Sequence, residues 1–129
     1  MSSSINFEAE LSNKQSTIKV GLTLISFEED NILFVYCPAL DLTGYGYTED
    51  EAKESFSQTL KIHINYTTRK KTFFKDLEKH GWVIKNRKRP KSPDFDYLLK
   101  NNKQFKEIVN KRNFTKYSQE IQLPESVYA

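Results

Sequence analysis

The segment at positions 17–27, in which apolar residues alternate with others from Ile18 to Leu24, is the feature that most constrains the fold of this chain. The regularly spaced apolar residues of the run TIKVGLTLISF are Ile18, Val20, Leu22 and Leu24. Alternation of this kind is the period of a strand with one buried face. A polar turn at 28–31 leads to ILFVYC at 32–37, a β-branched and aromatic run typical of a buried strand. Because Pro38 lacks an amide hydrogen, the second strand should end there, and the two runs predict a β-hairpin.

A third short strand and a long helix are predicted after the hairpin. In the strand TGYGY at 43–47 the tyrosines share one face and the glycines share the other. Thr48 and Glu51 have the spacing of a capping box, which predicts that the threonine hydroxyl accepts from the amide of Glu51 and that the glutamate reaches back to the amide of Thr48. Apolar residues then recur at every fourth position: Ala52, Phe56, Leu60 and Ile64. This stripe predicts a helix that packs on the sheet.

Further helices and a fourth strand are predicted in the second half of the chain. Residues 72–80 are typical of a short helix, and Gly81 is well placed as its left-handed cap. The apolar residues at 82–84 predict the fourth strand. A proline-containing start at 92–94 predicts another helix, whose apolar face ends near Arg112.

These elements together predict an α+β fold. The expected sheet is small and mostly antiparallel, in the order β-β-β-α-(α)-β, and a C-terminal helix and strand follow it. Alternation at 117–123, ahead of Pro124, predicts a last strand on a sheet edge. We divide the 129 residues into an N-terminal arm at 1–16, an α+β domain at 17–89 and a helix-strand extension at 90–129 packed on the same domain.

Charge is divided unevenly along the sequence. The first 68 residues carry four basic and ten acidic residues, whereas residues 69–91 carry ten basic and two acidic residues. The two basic clusters of this segment are made by Arg69, Lys70, Lys71, Lys85, Arg87, Lys88, Arg89 and Lys91. Such a block is typical either of a surface for nucleic acid or an acidic partner, or of a solvated loop.

The expected location is the cytoplasm. The N-terminal residues lack a basic start followed by an apolar run, and no apolar stretch approaches the length needed to cross a bilayer. The lone Cys37 cannot form an internal disulfide, which agrees with a reducing compartment.

No set of residues has the spacing of a catalytic or metal site. His63 and His80 fall in different helices, and neither is spaced from Cys37 as metal ligands are. Cys37 is instead typical of a small buried residue at a strand end. Asp41 would serve an RNase H-like nuclease only with several further carboxylates around Mg²⁺, and the other acids cluster in a turn and at a helix start. We therefore expect no enzyme activity, no metal, no cofactor and no small-molecule substrate.

The phrase YCPALDLTGYGYTEDEAKESF at 36–56 resembles the HicB-like antitoxin family. The resemblance covers residues 17–86 and rests on the residues Pro38, Gly44, Gly46, Thr48, Glu51, Ala52, Gly81 and Trp82. It implies a compact fold like a partial RNase H domain. It also implies a non-catalytic protein that binds and inhibits a small RNA-cleaving, HicA-like toxin, often as a dimer. A solitary relative with another protein partner fits the same pattern.

The chain departs from the family in two places. After Pro38 it reads Ala-Leu-Asp-Leu, where many relatives have a Pro-Gly-Cys turn, so a partner contact by that loop does not carry over. The segment 92–129 predicts a helix and a strand in place of the DNA-binding module of many relatives. Operator binding is therefore not expected.

Other functions remain open from the sequence. A nucleic-acid-binding module would use the basic segment 69–91, with Tyr45, Tyr47 or Trp82 available for base stacking. Trp82 also fits a core position at the start of an apolar strand. An RNase H-like nuclease is the third alternative. Independently of these functions, the edge strand at 117–123 predicts self-association, with the preceding helix packed across the same interface.

Overall fold

The computed structural model describes residues 17–124 and Val127, and the predicted arm at 1–16 lies outside the described residues. In chain order the elements are β1 (Thr17–Glu29), β2 (Ile32–Cys37), β3 (Leu42–Gly46), α1 (Glu49–Arg69), α2 (Phe73–Lys79), α3 (Phe95–Asn101), α4 (Lys103–Lys111) and β4 (Phe114–Pro124). Among these described elements there is no helix both long and apolar enough to cross a membrane.

The strands form one antiparallel sheet in the order β3-β2-β1-β4. This arrangement confirms the α+β class and the predicted hairpin. The hairpin turn is made by Asp30 and Asn31, whose φ angles are 55° and 65°. Two consecutive left-handed residues give the turn that matches the twist of a two-residue hairpin. As predicted, β4 lies on the edge of the sheet, and it pairs with β1 along its whole length.

Helices α1 and α2 cover one face of the sheet. The predicted stripe of α1 is buried: Ala52, Phe56, Leu60 and Ile64. It packs on alternate residues of β1 and β4, which are Val20, Leu22, Leu24, Ile121 and Leu123. Trp82 joins this core, and its Nε1 donates to the carbonyl of Ala39 at 2.8 Å. Trp82 is therefore a core residue and is not available for base stacking.

At the start of α1, only one of the two hydrogen bonds of the predicted capping box is present. The Thr48 hydroxyl accepts from the amide of Glu51 at 3.1 Å, as expected. The Glu51 carboxylate, however, accepts from the amide of Tyr47 at 2.8 Å and not from that of Thr48. Because Tyr47 follows the edge strand β3, its amide has no strand partner in the described residues, and the carboxylate satisfies it.

Gly44 and Gly46 allow α1 to lie directly against β3. A Cβ atom on Gly44 would lie 2.1 Å from the main-chain nitrogen of Phe56, and one on Gly46 would lie 2.8 Å from that of Ala52. Real side chains do not approach a backbone so closely, so the helix could not pack here over any larger residue. The glycines that the family resemblance singled out thus have a packing role.

Helices α3 and α4 cover the opposite face of the sheet. Their buried residues Leu98, Phe105 and Ile108 pack on Ile25, Phe27 and Tyr36 of the two central strands. The prediction of a single helix was wrong. Asn102 has an extended backbone that ends α3, and its side chain caps α4 by accepting from the amide of Phe105 at 3.0 Å. The apolar helix face that we assigned to a dimer interface is therefore used within the chain.

The predicted strand at 82–84 does not join the sheet. Only Val83 pairs, in an isolated bridge with Lys91, through hydrogen bonds of 2.9 and 3.1 Å. The place beside β1 is taken by β4, which offers a much longer alternating strand. Residues 83–91 instead form a loop closed on itself at its base.

Candidate functional site

Two ends of the molecule carry opposite charge. The turn between β1 and β2 and the start of α1 lie at one end, because Leu33 beside the turn pairs with Gly46 at the end of β3. We define the acidic end by its exposed carboxylates, Glu28, Asp30, Glu49, Asp50 and Glu51. The 21 residues of α1 then span about 30 Å to its other terminus. The uneven charge of the sequence is thus also a separation of charge in space.

Two exposed tyrosines stand at the acidic end. Tyr45 is 63% exposed and Tyr47 is 78% exposed. The ring of Tyr45 lies 6.2 Å from that of Phe34 on the sheet face away from α1, and Phe34 stacks on Phe27 at 5.2 Å. A row of aromatic rings therefore crosses this face and ends in an accessible tyrosine.

Side chains of α1 satisfy the outer amides beside β3. The amide of Tyr45 donates to Oγ of Ser55 at 3.1 Å, and that of Tyr47 donates to Glu51. The backbone edge of β3 is consequently covered at this point, while its tyrosine side chains are left accessible. A partner at this end would contact side chains and would not add a strand.

The opposite end of α1 carries the basic clusters. We define the basic end as the eight basic residues of the sequence analysis, all of which are exposed: Arg69, Lys70, Lys71, Lys85, Arg87, Lys88, Arg89 and Lys91. The first cluster ends α1, and the second lies in the loop 83–91. The Arg87 guanidinium lies 5.0 Å from the ring centre of Phe74 in α2. Because Phe74 is only three residues beyond Lys71, this contact brings the two clusters to the same end of the molecule.

We found no family model, curated protein or solved structure that matches this chain. Its function is therefore inferred from its own surfaces and from the residue pattern at 36–56. Most of the residues that carry that pattern have structural roles. Pro38 follows the end of β2, Thr48 caps α1, and Gly81 has a φ of 94° at the end of α2.

Asp41 belongs to a hydrogen-bonded group beside a polar cleft. The Tyr36 hydroxyl donates to Oδ1 of Asp41 at 2.7 Å and accepts from Nδ2 of Asn102 at 2.8 Å. Burial and the Asp41 carboxylate raise the pKa of Tyr36 above its ordinary range. The cleft has a volume of about 210 Å³ and is also lined by His80 and Lys103. Asp41 thus fixes a tyrosine to the loop and to α4, with no second carboxylate lining the cleft in the described residues.

His63 and His80 both contact Asp76, an arrangement that the sequence spacing did not predict. Nε2 of His63 lies 2.9 Å from Oδ2 of Asp76, and Nδ1 of His80 donates to the carbonyl of Asp76 at 2.9 Å. The spacing of Asp76 and His80 by four residues was a signal for one of these contacts, whereas the other requires the packing of α1 on α2. Within the described residues no group of His, Cys, Asp and Glu is placed to hold a metal ion.

A buried lysine and a tyrosine line a groove near the start of α1. Nζ of Lys53 lies 2.7 Å from Oε1 of Glu49 and 5.7 Å from the ring centre of Tyr117. Burial raises the pKa of Tyr117 to about 12, and its hydroxyl has no hydrogen-bond partner in the described part of the chain. Cys37, at the end of β2, is fully buried, and burial raises the pKa of its thiol to about 12. A thiol of this kind is protonated and inert at neutral pH.

Proposed function

We propose that this chain is a non-catalytic, HicB-like binding domain whose acidic end binds a basic protein, with a small RNA-cleaving toxin as the partner class. The observation that carries this proposal is the exposure of Tyr45 and Tyr47 beside the carboxylates of the acidic end. Tyrosine is enriched among the residues that dominate binding energy in protein interfaces, because it buries a large surface at a small entropic cost.

Charge complementarity supports a basic partner. A protein that cleaves RNA must attract phosphates, so its substrate-binding surface is rich in lysine and arginine. The exposed carboxylates around Tyr47 would steer such a surface into contact and oppose the docking of acidic proteins. Occupation of the basic surface of the toxin would then exclude its RNA, in the cytoplasm where the RNA is found.

The candidate acid–base residues are hydrogen-bonded within the fold, which supports a role without catalysis. Asp41 holds the hydroxyl of Tyr36, and Asp76 contacts both histidines. General acid–base chemistry requires such groups to face a substrate. In this chain they connect elements of the fold.

The test is to express, one at a time, the short reading frames that flank the gene. We expect one of them to encode a basic protein that arrests growth and cleaves RNA, and co-expression of this chain should restore growth. The double variant Tyr45→Ser, Tyr47→Ser should lose this rescue while its circular dichroism spectrum stays that of the wild type.

Ile62→Ser is the matched control, because Ile62 is 68% exposed on α1 away from the acidic end. It should rescue growth as the wild type does. Equal rescue by the double tyrosine variant would contradict the assigned surface. The absence of any flanking product that binds this chain would contradict the antitoxin role itself.

A further inference from the structure

The lysines of the basic end have no ion-pair partner among the described residues. The nearby Asp76 is engaged by His63. Concentrated positive charge without counter-ions raises the local potential and costs stability through self-repulsion. An anionic partner would remove that cost.

The loop that carries the second cluster has a defined shape. Its base is closed by the bridge between Val83 and Lys91. At its tip the amide of Lys88 donates to Oδ1 of Asn86 at 2.9 Å, and the amide of Arg89 donates to the carbonyl of the same residue at 2.9 Å. The side chain and the carbonyl of Asn86 therefore fix a turn made almost entirely of basic residues. A preformed turn loses less entropy on binding than an unstructured basic segment.

Lys71 occupies a position that favours glycine. It has a φ of 59°, its amide donates to the carbonyl of Thr68, and the next amide, that of Thr72, donates to the carbonyl of Thr67. This pair of bonds is the Schellman motif, in which the left-handed residue is usually glycine. A lysine therefore occupies a strained position next to the other cations. Strained backbone of this kind clusters at binding and active sites.

An accessible aromatic ring lies among these cations. Tyr66 is 53% exposed on the last turns of α1, and Nζ of Lys70 lies 5.9 Å from its ring centre. An aromatic ring beside cations is the arrangement on which unpaired bases stack while their phosphates are neutralised. A base within a duplex does not offer its face in this way, so the ring favours a single strand.

We propose that the basic end binds single-stranded nucleic acid, with Tyr66 stacking on a base and the lysines and arginines of the two clusters contacting phosphates. This surface is separate from the acidic end and about 30 Å from it along α1. One chain is thus able to hold a basic protein at one end and a nucleic acid at the other.

The test is fluorescence anisotropy with labelled RNA and DNA strands of about 12 nucleotides, a length within the range of compact single-strand binders. For four phosphate contacts, affinity should fall about 50-fold between about 50 mM and about 200 mM salt. A duplex of the same length should bind more weakly. A salt-insensitive affinity, or tighter binding to the duplex, would overturn the proposal.

Charge-reversal variants locate the surface. Lys88→Glu with Arg89→Glu should lower the affinity at least tenfold. The matched control Lys103→Glu with Lys106→Glu changes the net charge equally at exposed positions on α4, and it should lower the affinity much less. An equal loss in both variants would show that only the total charge matters and would contradict a defined site.

Two further variants test the stacking of a base on Tyr66 and the strained backbone of Lys71 separately from the electrostatic attraction of the basic end for any polyanion. Tyr66→Ser should weaken binding to the oligonucleotide about tenfold but leave binding to heparin, which has no bases, unchanged. Lys71→Gly should weaken binding and at the same time raise the melting temperature by about 3 °C, because glycine relieves the left-handed backbone. Unchanged oligonucleotide affinity in both variants would refute the proposed contacts.

Discussion

Burial controls the ionisation of two residues, Tyr117 and Cys37. It raises the pKa of Tyr117 from 10.0 to about 12, and that of Cys37 from 9.0 to about 12. Because both groups hold their proton more tightly in the folded state, the stability linked to them is fully present below about pH 9 and is lost as the pH rises towards 12. The protein should therefore unfold more readily in alkali.

Tyr117→Phe tests this expectation. The substitution keeps the ring and removes a buried hydroxyl without a partner in the described residues, so it should raise the free energy of unfolding by about 1 kcal/mol at neutral pH. It should also reduce the loss of stability between about pH 8 and about pH 11. Urea unfolding at the two pH values measures both effects. An alkaline loss as large as that of the wild type would show that the hydroxyl does not titrate as described.

Sequence predicted the residues whose roles are local and missed those whose roles depend on packing. The cap by Thr48 follows from a spacing of three residues within one turn of helix, and the burial of Trp82 follows from its apolar neighbours. The contact of Asp76 with His63, by contrast, exists only because two helices pack together. Asp41 likewise meets Asn102 through Tyr36, across more than sixty residues of chain. No local pattern encodes such partners.

The contact of α1 with β3 depends on Gly44. A Cβ atom at this position would meet the backbone of Phe56, which cannot move without displacing the helix. Gly44→Ala should therefore lower the free energy of unfolding by about 2–3 kcal/mol through overpacking. Gly21→Ala is the matched control, because no atom lies within 4 Å of the added methyl group. Urea unfolding should leave the control unchanged or slightly more stable, and an equal loss in both would contradict the packing role.

The boundary of α1 makes a second prediction for an element. Thr48→Ala removes the hydroxyl that accepts from the amide of Glu51 and should lower the free energy of unfolding by about 1 kcal/mol. Thr48→Ser keeps an acceptor and should retain most of the stability. If the urea transition of the alanine variant coincided with that of the wild type, the Thr48 hydroxyl would not stabilise the start of this helix.

Elements with a strong local periodicity were predicted correctly. Where two segments could occupy the same place in the sheet, the prediction was wrong. The strands at 17–29 and 114–124 contain alternating runs at 18–24 and 117–123, whereas 82–84 offers too few residues to displace β4 from the edge of β1. The break at Asn102 was also missed, although asparagine is a frequent N-cap, because the apolar period continues across it. The sequence shows the acidic and basic residues as separate blocks. Their distance in space, however, depends on the direction of α1, which the sequence does not give.

No strand among the described residues covers the outer edge of β4. In the two-residue hairpin the main-chain groups of Glu29 point to Ile32, so alternate residues of β1 point to β2 and the others point to β4. The residues of β1 that point to β4 pair with residues of β4 that point back to β1. In the register of β1 with β4, the main-chain groups of the intervening residues Lys116, Ser118 and Glu120 therefore point away from β1. The amides of these residues can donate to a further strand. The carbonyl of Glu120 already accepts from Nε2 of Gln119 at 3.1 Å, and its second lone pair can accept from that strand.

A second copy of β4 fits this edge in an antiparallel register. If Ser118 pairs with the same residue of the copy, each Lys116 lies opposite a Glu120 on the same face of the sheet. Opposite charges at directly paired positions stabilise neighbouring strands, and a two-fold axis through the serines satisfies both chains equally. We therefore expect the chain to form a dimer through a continuous eight-stranded sheet.

Ser118→Pro tests this dimer without removing β4, whose buried Ile121 and Leu123 belong to the core. Proline deletes an outward amide hydrogen, which an edge strand tolerates within its own chain but which strand addition requires. Light scattering at tens of micromolar should therefore give a dimer for the wild type and for Ser118→Thr, and a monomer for Ser118→Pro. Lys116→Glu should also dissociate the dimer by placing like charges opposite each other, and its combination with Glu120→Lys should restore the dimer. A wild-type monomer, or a Ser118→Pro variant that remains dimeric with an unchanged circular dichroism spectrum, would show that β4 is not the surface of association.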